Sequence, residues 1–326
     1  MTLRIAFIGA GRLAQALAPA LAEQGETIVA VASRDPASAQ RLAAQLPGSH
    51  ALTPERCVAQ ADLVFLSTPD DAIASLTARL PWRPGQAAVH CSGATGLGAL
   101  ESARLLGAAV GGFHPLQIFS DPRSARERLA GSLVAIETAD DALRAQLLRL
   151  AGRLRLQPLA IHGEQRAAYH AAANIAASGL LAVLSEASQL FESLGLGPRE
   201  ALAALMPLSR GALDAASQRG LAGAIAGPVA RGDTQVLAAH LQVMSARGEA
   251  ALAQYRWLCQ RQLDLLAPDD RPDPAQRAAL QALLARDRQG LAAAGVDAGP
   301  ETAPEAAPET APEAPGVRVA ARSARP

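Results

Sequence analysis

Residues 5–21 leave this chain little choice of how to begin. Ile5-Ala6-Phe7-Ile8 is a short apolar run, Gly9-Ala10-Gly11-Arg12-Leu13-Ala14 follows without a gap, and Leu17 and Leu21 then fall at helical spacing among alanines. Strand, glycine turn and helix, in that order, is the setting that the G-x-G-x-x-G/A dinucleotide fingerprint requires. Gly9 allows the tight turn, Gly11 lets a pyrophosphate approach the backbone, and Ala14 keeps the helix close to the strand. Gly9, Ala10, Gly11, Arg12 and Leu13 are therefore candidate cofactor contacts, with the anion facing the open amides of the helix N-terminus.

The second apolar run, Thr27 to Ala32, closes with Ser33-Arg34-Asp35-Pro36. A site that prefers NAD places an acidic side chain at this strand end to hold the ribose 2′-hydroxyl. Ser33 and Arg34 stand there instead, and a hydroxyl beside a guanidinium fork suits a 2′-phosphate. The expected cofactor is NADP, with Asp35 taking the acidic role only if the strand ends one residue later. Ser67-Thr68-Pro69, at the end of another apolar run, completes the candidate cofactor set.

At 326 residues, half of them hydrophobic and only 3% aromatic, the chain has room for two domains, and its alanine and leucine favour helices. Thirty basic and 30 acidic residues cancel. That balance argues against a nucleic-acid or anionic-membrane partner. The first strand begins too early for a secretory leader, and no uninterrupted apolar stretch reaches bilayer length, so a cytoplasmic protein without a membrane partner is expected. Cys57, Cys91 and Cys259 are few, odd in number and widely spaced, which reads as reduced thiols rather than a metal site. All 30 basic residues are arginine. Lysine Schiff bases and lysine acids are thereby excluded.

Short apolar runs alternate with helical stretches through about residue 160: 61–69, 87–93, 108–115, 132–137 and 156–161 all read as strands. The pattern predicts an α/β fold with a doubly wound parallel Rossmann sheet over residues 1–162. An all-helical substrate and dimerisation domain is expected over 163–268, an extra helical segment over 269–294, and a disordered Ala/Pro/Glu-rich tail over 295–326.

Ligands of open parallel sheets lie beyond the carboxyl ends of the strands. His90, Ser92 and Gly93 fall at one such end, and His114 with Gln117 at another. Ser92 and Gly93 suit a substrate carboxylate or carbonyl, while His90 reads equally well as a hydrogen-bonded core residue. Asp70 and Asp71 cap the next helix or join the site. Further on, His170, Asn174 and Ser178 recur every four residues and share one helix face lined with alanines. The alternatives there are a polar seam between helices and an interdomain site in which His170 donates a proton and Asn174 orients the substrate. In Gly227-Pro228-Val229-Ala230-Arg231-Gly232-Asp233, Asp233 reads as a helix cap and Arg231 as a candidate partner for a substrate carboxylate.

Taken in order, the Gly-Ala-Gly-Arg turn, His90-Cys91-Ser92-Gly93, His114-Pro115-Leu116-Gln117, Tyr169-His170-Ala171-Ala172-Ala173 and the segment 227–233 resemble a family of Rossmann-like oxidoreductases with a helical C-terminal domain of unassigned function. The resemblance covers residues 3–265. The wider kin are ketopantoate reductases, pyrroline-5-carboxylate reductases and 3-hydroxyacid dehydrogenases. It implies NADP-dependent reduction of a small 2-oxo acid, or imine reduction of the pyrroline-5-carboxylate type; a homodimer is expected because the Ala/Leu-rich helices must bury their apolar faces. The hydroxyacid dehydrogenases carry a lysine and an asparagine four apart on the first interdomain helix. His170 and Asn174 have that spacing here, so histidine replaces the lysine donor. An NADP-binding sensor or scaffold without turnover is the alternative from outside the enzymes.

Overall fold

The computed structural model describes residues 3–267 and 272–286. It divides into two compact units, Met1–Leu202 and Ala203–Pro326. The first unit is built on β1 (Arg4–Ile8), α1 (Arg12–Glu23), β2 (Thr27–Ala32), α2 (Pro36–Ala43), β3 (His50–Ala51), α3 (Pro54–Gln60), β4 (Leu63–Leu66), α4 (Asp70–Thr77) and β5 (Ala87–His90). It continues through α5 (Glu101–Leu105), β6 (Ala109–Pro115), α6 (Pro122–Glu127), β7 (Leu133–Glu137), α7 (Asp141–Arg153) and β8 (Gln157–Ala160).

The strands form one sheet in the order β3-β2-β1-β4-β5-β6-β7-β8. The central strands are apolar on both faces because both are covered. Ile5, Phe7, Leu63, Phe65 and Val89 enter one core; Ala6, Ile8, Val64, Leu66 and Ala88 enter the other. That is why these segments read as unbroken apolar runs rather than alternating ones. Phe7, Phe65 and Phe113 carry much of the first core, with ring centroids 5.1 and 5.7 Å apart. The strand order reverses between β1 and β4, and this is where doubly wound sheets open a crevice for a ligand.

The sheet departs from the parallel expectation at one place. β7 runs antiparallel to β6, with Pro115 opposite Val134 and Gly112 opposite Glu137, and β8 follows β7. The link between β6 and β7 holds only the six-residue α6, about 9 Å long. The rest of that link, within residues 116–132, is turns and bends, and the sheet continues at this edge by antiparallel pairing. The two-residue β3 carries too little pattern to be read from sequence.

Two helices follow the sheet within the same unit: α8 (Arg166–Asn174) and α9 (Leu180–Glu192), joined without a break by a turn of π-helix over Ile175–Gly179. The first compact unit thus extends past residue 162, to Leu202. A buried ion pair between Arg166 of α8 and Glu137 of β7 fastens the helix to the sheet. The run Gly163–Glu192, although interrupted by residues such as Arg166, His170 and Glu186, is long and apolar enough, by length and composition alone, to cross a membrane.

Helix α10 (Pro198–Ala224), broken at Gly220, leads into the second unit. There α11 (Pro228–Arg231), α12 (Thr234–Ala246), α13 (Glu249–Leu265) and α14 (Pro274–Leu284) pack on one another around Leu237, Leu241, Leu252, Leu263 and Leu280. Asp233 caps α12 by accepting from the Val236 amide, as its spacing suggested. Helix α14 occupies part of the expected 269–294 segment; the tail at 295–326 lies outside the described residues.

Candidate functional site

The first site is the crevice at the carboxyl ends of β1 and β4. Gly9 has φ +113°, and a Cβ there would press on the Ser67 carbonyl and lie 2.8 Å from Ser67 Oγ. Only glycine fits that turn. The space beside Gly11 is open, and α1 begins there with no side-chain cap and no acid in its first turn. Unclaimed amides beside open space are what a pyrophosphate needs. Ser67 Oγ donates to the Gly9 carbonyl at 3.0 Å and holds the two strand ends together. The buried Thr68 hydroxyl has no partner among the described residues. Gly9, Ala10, Gly11, Ser33, Arg34, Asp35, Ser67, Thr68 and Pro69 line one cavity of about 580 Å³. Arg12 and Leu13 lie just beyond, as the first residues of α1.

Asp35 does not take the acidic role. It is the N-cap of α2: its carboxylate accepts from the Ala37 and Ser38 amides at 3.1 Å and from the Ser38 hydroxyl, and it pairs with Arg41 at 3.5 Å. These donors hold its pKa below the ordinary carboxylate value. Its oxygens are thus occupied, while Ser33 and Arg34 stand at the strand end.

The second site gathers histidines at the carboxyl ends of β5 and β6 and on α8. His114 Nδ1 lies 2.8 Å from the Tyr169 hydroxyl, a hydrogen bond whose donor depends on the imidazole tautomer. The His114 and His170 rings are 6.4 Å apart between centroids. Gly93 sits between them. A Cβ there would come within 2.8 Å of His170 Nδ1 and 2.9 Å of His114 Cε1, so the close approach of the two rings depends on glycine. Burial, with the His170 and Arg166 charges, pushes His114 down to about 4, and it is neutral at pH 7. A neutral imidazole backed by a phenol is a hydrogen-bond donor or acceptor rather than a charge.

His114, Gln117, His170, Asn174 and Ser178 line a cavity of about 360 Å³ whose remaining walls are Leu116, Ile118 and alanines. The π-turn lies directly under it. Asn174 ends α8 and Ser178 falls inside the turn, and such irregular turns recur at functional sites. Ser92 is placed differently. Its hydroxyl accepts from the amides of Ala94 and Thr95 at 3.1 and 2.8 Å and shapes the β5 loop. Arg231 ends α11 in the second unit and is exposed.

His90 is fully buried, and both its ring nitrogens lack a hydrogen-bond partner among the described residues. Burial, Arg166 and His114 push it down to about 3. Burial raises the Cys91 thiol to about 12, so it packs as an inert apolar group. Arg166 was not anticipated. Its guanidinium, 3% exposed, donates to Glu137 from Nε at 3.0 Å and to the Ser92 carbonyl from Nη1 at 2.9 Å. The signal was present: Arg166 begins the same four-residue stripe as His170, Asn174 and Ser178.

With that geometry described, residues 1–115 match the Rossmann-like domain family, and residues 132–262 match a domain of unknown function, DUF2520. The two matches fall on successive parts of the chain. Among solved structures it resembles a "putative NADP oxidoreductase" from Bacteroides fragilis at 25% identity and TM-score 0.63, covering 81% of this chain and 98% of that one. Protein TM1727 from Thermotoga maritima is similar at 24% identity and TM-score 0.65, over 80% and 97% of the two chains. A 1-pyrroline-5-carboxylate reductase from Streptococcus pyogenes shares the fold at 16% identity and TM-score 0.58, over 81% and 97%. No curated protein matches the sequence.

Proposed function

We propose that the protein is an NADP-dependent oxidoreductase that reduces a small carbonyl or imine compound in the cavity lined by His114 and His170. The observation that carries this reading is that one unit holds both a glycine crevice at the ends of β1 and β4 and a histidine pair, His114 at the end of β6 and His170 on α8. The likeness to the Bacteroides fragilis protein, described as an NADP oxidoreductase, supports the cofactor. NADPH, when bound, supplies the hydride. The residues of this chain do the rest: Gly9 to Leu13 hold the pyrophosphate, Ser33 and Arg34 the 2′-phosphate, and Ser67 to Pro69 the inner wall.

His170 gives its proton to the developing alkoxide or amine, the neutral His114 donates a hydrogen bond with Tyr169 behind it, and Asn174 and Ser178 orient the substrate. For the finer substrate class we propose a ketopantoate-like 2-oxo acid, with Arg231 pairing its carboxylate. Among the described residues no arginine lines the His114–His170 cavity, so a carboxylate there needs a guanidinium from elsewhere. That same lining favours imine reduction as the second reading, because an imine reductase depends on pocket shape more than on a charge clamp. We further propose a homodimer in the cytoplasm. Free, buried Cys57, Cys91 and Cys259 suit a reducing compartment.

The test is NADPH oxidation at about 340 nm, the reduced-nicotinamide band, with ketopantoate, other branched 2-oxo acids and pyrroline-5-carboxylate, using wild type and His170→Ala. Turnover with one class, falling about 100-fold in the variant while NADPH binding survives, is the expected result for loss of a general acid. Full activity in His170→Ala removes that residue from the mechanism. Tight NADPH binding with no turnover across the panel favours a binding protein instead.

A further inference from the structure

The glycine crevice contains a second arginine that the strand-end fingerprint does not supply. Arg79 follows the C-terminus of α4 and lines the same 580 Å³ cavity as Ser33 and Arg34, alongside Pro54, Ala72 and Leu76. Its Nε donates to the Ser75 carbonyl at 3.1 Å and closes the helix end. That bond fixes the stem and leaves the two terminal nitrogens available. Neither Arg34 nor Arg79 is ion-paired with a carboxylate among the described residues. Glu55, in the first turn of α3, feels the Arg79 charge from beyond ion-pair distance. The acid best placed to oppose an anion here, Asp35, is spent on capping α2. Among the described residues, the crevice lining therefore holds two guanidiniums without a carboxylate partner, the Ser33, Ser67 and Thr68 hydroxyls, and one carboxylate, Asp35, already engaged by the α2 cap and Arg41.

We propose that Arg79 acts with Arg34 as a two-sided clamp on the 2′-phosphate of the cofactor, making Arg79 a determinant of NADP over NAD. The inference rests on the dinucleotide reading above and adds a residue outside the β2–α2 turn to it. A 2′-phosphate carries close to two charges and three acceptor oxygens, enough for two guanidinium forks. One fork at a solvent-open strand end is screened; a second, held rigid by its Nε bond, raises both affinity and selectivity.

The experiment is a fluorescence titration of NADPH and of NADH into the full chain, with calorimetric titration of adenosine 2′,5′-bisphosphate as a probe of this end alone. Wild type, Arg79→Gln and Arg79→Lys are compared. Arg79 is exposed, so its replacement leaves the fold in place, and a thermal melt verifies this. Loss of one charge-assisted contact predicts a rise of about tenfold in the Kd of Arg79→Gln for NADPH and for the bisphosphate, with a smaller rise for Arg79→Lys. NADH affinity stays within about twofold, the scatter expected for a surface change. Equal weakening of NADPH and NADH overturns the proposal, because Arg79 then touches the shared part of the cofactor. Unchanged affinity for both also overturns it. Wild type that binds neither dinucleotide overturns the dinucleotide reading itself, an outcome distinct from the first two.

Discussion

Single residues decide how this molecule responds to acid. His90 and His114 are held near 3 and 4, well below the ordinary imidazole value of 6.5, by burial and by the Arg166 charge. Above pH 6.5 both are neutral folded or unfolded and contribute no slope. Below it the unfolded chain takes up protons that the folded chain refuses, so stability falls with pH by about 1.4 kcal/mol per unit for each group until its folded value is reached. Melting temperature should therefore drop between pH 6.5 and 4. His90→Leu, which removes a buried imidazole without hydrogen bonds among the described residues, should flatten that slope and leave stability at pH 7 within about 1.5 kcal/mol. A variant as acid-sensitive as wild type would show that His90 does not carry the effect. None of this was legible in the sequence, where His90 stood as an even choice between core and site. Two unpartnered nitrogens are a property of what surrounds the residue, and those neighbours come from β6 and α8.

At the scale of elements, α8 is joined to the sheet by one charge pair. Arg166→Met removes the cation and leaves Glu137 buried without a partner, which should cost about 3–5 kcal/mol. Glu137→Gln in the same chain should restore part of the loss, since both charges are then gone. Denaturant unfolding of the two single variants and the double variant measures the coupling, and strictly additive losses would contradict a direct pair. Seven of the eight strands were legible because their apolar runs are continuous and bounded by turns. The glycine crevice was legible for the same reason: a fingerprint is local. The reversal at β7 was not, because a strand's direction is set by the partner it pairs with and leaves no mark on its own residues. Tyr169 and Arg166 were hidden for a related reason. Their partners, His114 and Glu137, lie 55 and 29 residues away.

Among the described residues, several large apolar side chains face solvent. Ile175 and Leu181 in the first unit, and Leu208, Leu221 and Trp257 in the second, are all more than 60% exposed. None of the apolar window within Gly163–Glu192 is buried. Charged residues recur along this stretch and beyond it, including Glu186, Glu192, Arg199 and Glu200, which suits a protein surface better than lipid as the cover. A second copy of the chain is the proposed occupant. Light scattering should give about 67 kDa, twice the 33.5 kDa of one chain. The pair Ile175→Asp and Leu181→Asp should shift the mass toward one chain. A wild-type mass of one chain at every concentration would exclude the dimer.

The reversal of β7 and β8 has one more effect. It sends the chain out of the sheet at the end opposite the ligand crevice, so α8 must climb back alongside β6 in the direction of the parallel strands. Arg166 sits level with Gly112, and His170 level with His114. Four residues of helix rise about 6 Å and two residues of strand about 6.6 Å. The strand thus serves as a ruler for the helix. The same two rungs that fasten the arginine set the height at which the histidine arrives. In a sheet with every strand parallel, a helix leaving from the crevice end would carry that histidine away from the place it now reaches.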